Sequence, residues 1–273
     1  MKKLILMPLL FILWLACASC APAASNRFLE LDASTQGKIH QAIREALIDN
    51  TIDNYYELKT EGHVILDAET KENKLFVYMI ECNSGYEFTD GRFTGGCQPA
   101  WLVPAVAVFS EMETYGPVTL NVEVTNVYGE VDENWLKENF PAALHETARH
   151  YADAYDEIQK QMDEQAYVYL QSIGRADALG ADVKEIVWLN EQIPTEAYAL
   201  LEETKVLDEY PLWVGNQEKL ENNIRYVYET AVKKDTSDHT LVVFTKKRYD
   251  NGDIMELRQF RVTGDTIEEV PAC

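Results

Sequence analysis

Basic residues are scarce in this chain. Lysine and arginine together number 24 against 46 aspartates and glutamates, a formal net charge of −22 over 273 residues. So acidic a surface repels phosphate backbones and anionic lipid headgroups, which excludes nucleic acid as a partner and membrane binding through basic charge. Cysteine is sparse too, at five, with no C-x-x-C or Cys/His spacing of a zinc site. The phosphate-cradling glycine patterns are absent, as are G-x-S-x-G and the D-x-[DN]-x-[DN]-G calcium loop. No cofactor and no metal are therefore expected.

The longest apolar run opens the chain and falls short of a membrane span. Lys2 and Lys3 precede an apolar stretch from Leu4 to Leu15, about a dozen residues where a spanning helix needs ~20. Small residues follow, the three-part layout of a bacterial export signal. Counting on to Ala24 would reach spanning length and leave an uncleaved anchor as the alternative. Cys20, after Ala18 and Ser19, reads as the lipidated cysteine of a lipoprotein, with Cys17 as the alternative acylation site. The expected location is the outer face of the cytoplasmic membrane; ordinary cleavage after Ala21–Ala23 would give a secreted protein instead. Loss of Lys2 and Lys3 with the signal would deepen the charge deficit further.

Export makes a disulfide permissible. In "CNSGYEFTDGRFTGGC" two β-like arms flank a Thr89-Asp90-Gly91 turn, and a hairpin centred between Thr89 and Asp90 would set Cys82 opposite Cys97. That pair is the expected disulfide, with free buried thiols as the alternative.

Residues 1–20 are assigned to the signal and 21–33 to a tether. From 34 to 130, Ile39, Ala42, Ile43, Ala46 and Leu47 repeat at helical spacing behind Ser34 or Thr35 as cap. Four strand-like segments follow, separated by turns at Lys71-Glu72-Asn73, Asp90-Gly91 and Tyr115-Gly116-Pro117. The expected fold class is α+β: a helix packed on a four-stranded antiparallel sheet, in cystatin-like or NTF2-like element order. Residues 131–180 read as a helical connection with Ile158, Met162, Ala166, Tyr169 and Leu170 on one face and Gly174 as a C-cap. Residues 181–273 read as a second helix-plus-antiparallel-sheet unit, with an Asn251-Gly252 hairpin that sets Lys247 opposite Glu256.

The segment "HETARH" resembles a zinc-protease helix but carries the wrong spacing. H-E-x-x-H puts both rings on one helical face; five residues rotate about 500°, which leaves His145 and His150 roughly 140° apart. Glu146 and His150 do share a face at i, i+4, and are the weak metal candidates; a surface ion pair is the simpler role. Ser237, Asp238 and His239 are consecutive and cannot form a spatial triad. His63 opens a strand and reads as structural. An enzyme would need Glu146, His150 or His63 to meet a second titratable group in a pocket. Trp101, Trp213, Tyr226 and Tyr228 are the candidate binding aromatics, against a packing role.

The phrases "EGHVILDAETKENKLFVYMI…YEFTDGRF", "VPAVAVFS", "ENFP", "YLQSIGRADALG" and "YPLWVGNQEKLENNIRYVY" resemble, in that order, the extracellular C-terminal region of BlaR-type antirepressor metallopeptidases of Gram-positive bacteria, over most of the chain from about His40 to Val262. The family's protease helix lies in a membrane-embedded part that has no counterpart here. The acylated Ser-x-x-Lys of its β-lactam sensors is also missing; Thr35-Gln36-Gly37-Lys38 comes nearest and falls at a helix start. The resemblance implies an extracytoplasmic sensory or binding module on its own lipid anchor, engaging a peptide, an envelope component or a partner membrane regulator. The alternatives are an envelope enzyme of another type and a structural scaffold domain of such a regulator.

Overall fold

The structure, a computed structural model, describes residues 26–50, 56–110, 121–126, 133–180, 186–234 and 239–271. The acylation candidates Cys17 and Cys20, the Tyr115–Pro117 turn, Ser237, Asp238 and Cys273 lie outside the described residues. In chain order the described elements are α1 (Ala33–Asn50), β1 (Leu58–Lys71), β2 (Lys74–Thr89), β3 (Arg92–Gly95), β4 (Val103–Ser110), β5 (Asn121–Asn126), α2 (Glu133–Asn139), α3 (His145–Arg149) and α4 (Tyr155–Ser172). They continue with α5 (Thr195–Glu203), β6 (Gly215–Glu221), β7 (Ile224–Lys234), β8 (Thr240–Arg248), β9 (Ile254–Thr263) and β10 (Thr266–Val270).

Helix α1 begins one residue before its expected caps: Asp32 accepts from the Thr35 backbone N–H at 3.0 Å and from its hydroxyl at 2.6 Å, an arrangement that satisfies an orphan donor of the first turn. Its stripe of Ile39, Ile43 and Leu47 is buried against Val77, Met79, Ala105, Ala107 and Phe109. The strands beneath pair antiparallel in the order β1-β2-β4-β5. Two-residue turns with both residues at positive φ close β1–β2 (Glu72 51°, Asn73 62°), β2–β3 (Asp90 49°, Gly91 75°) and β6–β7 (Asn222 51°, Asn223 64°). That geometry matches the right-handed strand twist.

The α+β class and the antiparallel pairing hold, but the four strands under α1 do not form a sheet of their own. Strand β2 is long enough that its end, Phe88 and Thr89, pairs with Glu218 and Gln217 of β6. One ten-stranded sheet results, running β10-β9-β8-β7-β6-β2-β4-β5 with β1 and β3 also on β2. The two halves share a strand. Helix α5 covers the far half, its Ala197 and Leu201 packed with Tyr228, Val242, Phe244 and Phe260.

The expected long helix before Gly174 is broken. His150 leaves helical geometry at φ −93°, ψ 35°, and 3-10 turns flank α3. Gly174, at φ +73°, ends α4 as its spacing predicts. The stripe Ile158, Met162, Ala166 and Leu170 packs on Ile80, Cys82, Tyr86 and Phe88. Those β2 residues alternate with Val77 and Met79, so α4 lies on the sheet face opposite α1.

Helix α4 also closes the outer edge of β1. Gln161 accepts from the His63 N–H at 3.0 Å and donates to the His63 carbonyl at 3.1 Å. Gln165 does the same for Glu61, accepting at 3.4 Å and donating at 2.6 Å. Four residues of helix rise about 6 Å and two residues of strand about 6.6 Å, so side chains at i, i+4 meet backbone groups at i, i+2. The approach is close enough that a Cβ on Gly62 would lie 2.7 Å from the Ile158 carbonyl oxygen.

A buried ion network fastens the halves together. Arg225 grips Glu57 through two bonds of 2.6 and 2.7 Å and reaches Glu218 at 3.3 Å, while Arg175 holds Glu218 at 2.5 Å. The two guanidiniums flank Phe88, at 3.8 Å (Arg175) and 4.7 Å (Arg225) from its ring centre. The β8–β9 turn departs from expectation: Arg248–Asp250 and Asn251–Asp253 bonds widen it. A bulge follows, so Lys246 rather than Lys247 faces Glu256, and Lys247 pairs with Glu229 at 2.5 Å.

Two outcomes test this packing by urea unfolding. Gly62→Ala is expected to lose about 1–3 kcal/mol through the clash with Ile158, while Gly37→Ala, on an open stretch of α1 with nothing within 4 Å of the new Cβ, gains up to about 1 kcal/mol. Arg225→Ala takes the guanidinium from Glu57 while Glu218 stays on Arg175, and is expected to cost about 3–5 kcal/mol; a loss as small as that of an exposed arginine would contradict the joint.

Candidate functional site

Glu61 and His63 stand two residues apart on β1, so their side chains share the face beneath α1. His40 and Arg44 stand four apart on α1 and share the face that looks down on them. The Glu61 carboxylate, fully buried, bonds the His63 Nδ1 at 2.7 Å and accepts from Arg44 Nε at 2.9 Å. His63 Nε2 then lies 2.7 Å from His40 Nδ1, with the two rings stacked at 4.9 Å. Buried Glu81 is the cross-strand neighbour of His63.

Donor and acceptor roles follow from the carboxylate. An ionised carboxylate only accepts, so His63 carries its proton on Nδ1 and offers a lone pair at Nε2. His40 donates to that lone pair from Nδ1, which leaves its own Nε2 as an acceptor. An imidazole sets its nitrogens on divergent edges, so this acceptor looks away from the floor. One added proton fits at His40 Nε2; a second, on His63, would place two donors face to face and break the chain.

The end of the chain opens into a cleft of about 970 Å³ over the β1 edge. Helix α1 supplies one wall with Gly37, His40, Arg44 and Glu45, and α4 supplies the other with Gln161, Glu164, Gln165 and Val168; Lys59 and His63 lie between. Burial pushes the Glu61 carboxyl up, but the His63 and Arg44 bonds outweigh it and hold it below the ordinary carboxylate value. His40 is solvent-open toward the cleft, yet desolvation of the ring, packed on Phe28 at 5.4 Å and on His63, lowers its pKa.

Sequence reasoning took His63 as structural and passed over His40, Arg44 and Glu61. Its other candidates fall elsewhere. Glu146 and His150 are on the surface, where His150 Nδ1 donates to the Glu146 carbonyl at 2.9 Å and Glu146 also bonds Arg149. His145 turns to the Phe140 carbonyl at 2.9 Å. Among the described residues no group of three His, Cys, Asp or Glu is placed to hold a metal ion. Trp213 packs edge-on against Trp188, Tyr226 and buried Tyr228 lie under Lys246, and Trp101 is exposed in a 3-10 turn. None of the four lines the cleft.

The expected Cys82–Cys97 disulfide is corrected: both are free, buried thiols. The Asp90-Gly91 turn pairs Thr89 with Arg92, which shifts the register. Pairing stops at Tyr86–Gly95, and Gly95 (φ 148°) and Gly96 (φ 90°) carry the chain off the strand. Cys97 comes beside Cys82 from outside the ladder, its N–H donated to Gln159 at 2.8 Å. The hydrogen bond to Cys97, then burial, push the Cys82 thiol up.

Comparison of the chain with family models, with curated proteins and with solved structures finds no match. Among the described residues no helix is long and apolar enough to cross a membrane.

Both pKa shifts make acid destabilising. Below the ordinary histidine value of 6.5 the unfolded chain takes the His40 proton before the folded one does, and stability declines. The Glu61 contribution is present above the ordinary carboxyl value of 4.5 and is lost as pH falls through its depressed folded value. A urea series from about pH 8 to about pH 3 is expected to show both declines, and Glu61→Gln should make the lower one shallower, the rest of it belonging to other carboxylates held below their ordinary value, among them Glu69 and Glu221. Coincident profiles for the two proteins would contradict the relay.

Proposed function

We propose that the chain is a lipid-anchored, non-catalytic sensory or binding module at the outer face of the cytoplasmic membrane, and that its ligand sits in the α1–α4 cleft. The observation that carries this reading is the Glu61–His63–His40 chain, which brings a polarised imidazole from a fully buried carboxylate to the wall of a cleft large enough for a small molecule or a peptide end. Pockets of roughly 300–1,000 Å³ with a few convergent polar groups are the usual form of a small-molecule site. Support for binding over turnover comes from the lining, in which no side-chain hydroxyl or thiol occurs among the described residues. The signal-like start of the sequence supports the location, and acylation of Cys20, with Cys17 as the alternative, would supply the anchor. The BlaR-type resemblance favours an envelope component or a membrane regulator as the source of the signal.

One observation favours a second reading, an envelope enzyme that uses acid–base chemistry. His63 meets a second imidazole of lowered pKa within a cleft, which is the arrangement a general base requires. Water or the substrate would have to supply the nucleophile.

Gly37→Trp separates these readings from a purely structural role, because it fills the cleft from a position with open space around it. The wild-type protein and this variant are each equilibrated with a peptidoglycan digest and examined by native mass spectrometry. Binding by the wild type that the variant loses is the expected result. Equal retention by both moves the site elsewhere, and conversion of a retained species by the wild type alone favours the enzyme.

A further inference from the structure

We propose that buried Glu61 sets the hydrogen-bond polarity that His40 presents to the cleft, and that a single proton reverses this polarity while the Glu61–His63–His40 chain stays whole. The inference rests on the cleft being the binding site and adds how that site is regulated; its test is made on the free protein, so the two fail separately.

Charges of both signs line the cleft, Arg44 and Lys59 with Glu45 and Glu164, so charge alone does not single out a guest. His40 differs because its polarity is dictated from within. The two oxygens of the fully buried Glu61 are divided: Oε1 accepts from Arg44 Nε at 2.9 Å, and Oε2 faces His63 Nδ1 at 2.7 Å. An ionised carboxylate has no proton to give. The hydrogens therefore run one way, from His63 Nδ1 to Glu61 and from His40 Nδ1 to His63 Nε2 at 2.7 Å. The last nitrogen, His40 Nε2, is bare and accepts. The chain thus has two contacts and one free end, and each holds one hydrogen at most. Both contacts are already filled, so the next hydrogen occupies the free end and turns an acceptor into a donor. That count is the same whichever of the three groups carries the charge. A further hydrogen has no place and breaks a contact.

Packing holds the rings independently of that proton. The imidazoles stack at 4.9 Å, His40 lies edge-on against Phe28 at 5.4 Å, and Ile39 and Ile43 anchor α1 on the sheet. The reversal changes what the wall offers without changing its shape. The charged groups around the pair are Arg44 on the same helix, Glu61 on β1 and Glu81 beside His63 on β2, with Lys59, Glu45 and Glu164 elsewhere in the lining; Glu61 is the one whose bond enters the chain. A guest group that only donates is accepted on the alkaline side of the reversal, and one that only accepts on the acid side. Glu61→Gln reverses the polarity with no proton at all. Arg44 Nε claims the amide oxygen, which leaves the amide NH2 facing His63 Nδ1. Both rings then move their hydrogen to Nε2, and His40 becomes a donor while neutral.

The full chain, labelled with nitrogen-15 in its histidines, is followed by long-range proton–nitrogen NMR from about pH 8 downward through the ordinary histidine range. Coupling between two ring nitrogens across a shared hydrogen identifies the His40–His63 contact. The expected wild-type record starts with hydrogen on Nδ1 of both rings. Protonation of His40 Nε2 follows with the coupling retained, and the coupling is lost at the next proton. In Glu61→Gln at the same starting pH both rings should carry hydrogen on Nε2, with the coupling still present. Absence of the coupling at the start, wild-type rings with hydrogen on Nε2, or loss of the coupling at the first proton overturns the proposal. That wild-type record decides alone if the variant does not fold. A folded variant with wild-type tautomers overturns the control assigned to Glu61. Ligand capture is reported separately by the peptidoglycan-digest comparison.

Discussion

Residues 61 and 63 are gripped from two sides, and the functional geometry depends on that grip. Their backbone polar groups are taken by Gln165 and Gln161 of α4, and their side chains by Arg44 and His40 of α1. An edge strand otherwise presents unsatisfied N–H and C=O groups, and two glutamines one helical turn apart supply both partners for each residue. Once α4 is fixed in that register, Gly62 is required between them, the core stripe from Ile158 to Leu170 falls onto β2, and the space between the two helices becomes the cleft. The imidazole pair is thus positioned by a hydrogen-bonding requirement of the backbone as much as by its own contacts.

The scarcity of basic residues takes on a structural meaning. Several of the few arginines serve interior carboxylates: Arg44 on Glu61, Arg175 on Glu218, and Arg225 on Glu57 and Glu218. Each partner would be costly to bury alone. Three arginines match three carboxylates in these pairs, so the whole excess of acid lies outside them, which bears on any charged ligand approaching the cleft.

Much of the architecture was legible from the sequence. The apolar stripe of α1, the Glu72-Asn73 and Asp90-Gly91 turns and the Gly174 cap all stand where their periodicity and backbone preferences place them. Register was less legible. Two glycines after Thr94 lift Cys97 off its ladder, and side-chain bonds among Arg248, Asp250, Asn251 and Asp253 widen the last hairpin by more than an Asn-Gly pair implies. The pairing of the end of β2 with β6 was hidden because Phe88 and Glu218 lie far apart in the sequence and nothing local signals their contact. The His40–His63 contact was missed because it joins residues 23 positions apart through an edge-strand packing that no local pattern announces. A signal was present nonetheless: His40 and Arg44 at helical spacing, and Glu61 and His63 at strand spacing, put four ionisable groups on two facing surfaces.

The glutamine clamp also limits how any guest can be read. Extended peptides are often captured by lengthening a sheet, main chain against main chain, a mode indifferent to most of the guest's residues. Here the bonding positions at Glu61 and His63 are already taken by the protein's own amides, so no visiting backbone can join the sheet there. Discrimination must come from the chemistry of the guest's functional groups, and the protein gives up broad adhesion for a narrower vocabulary.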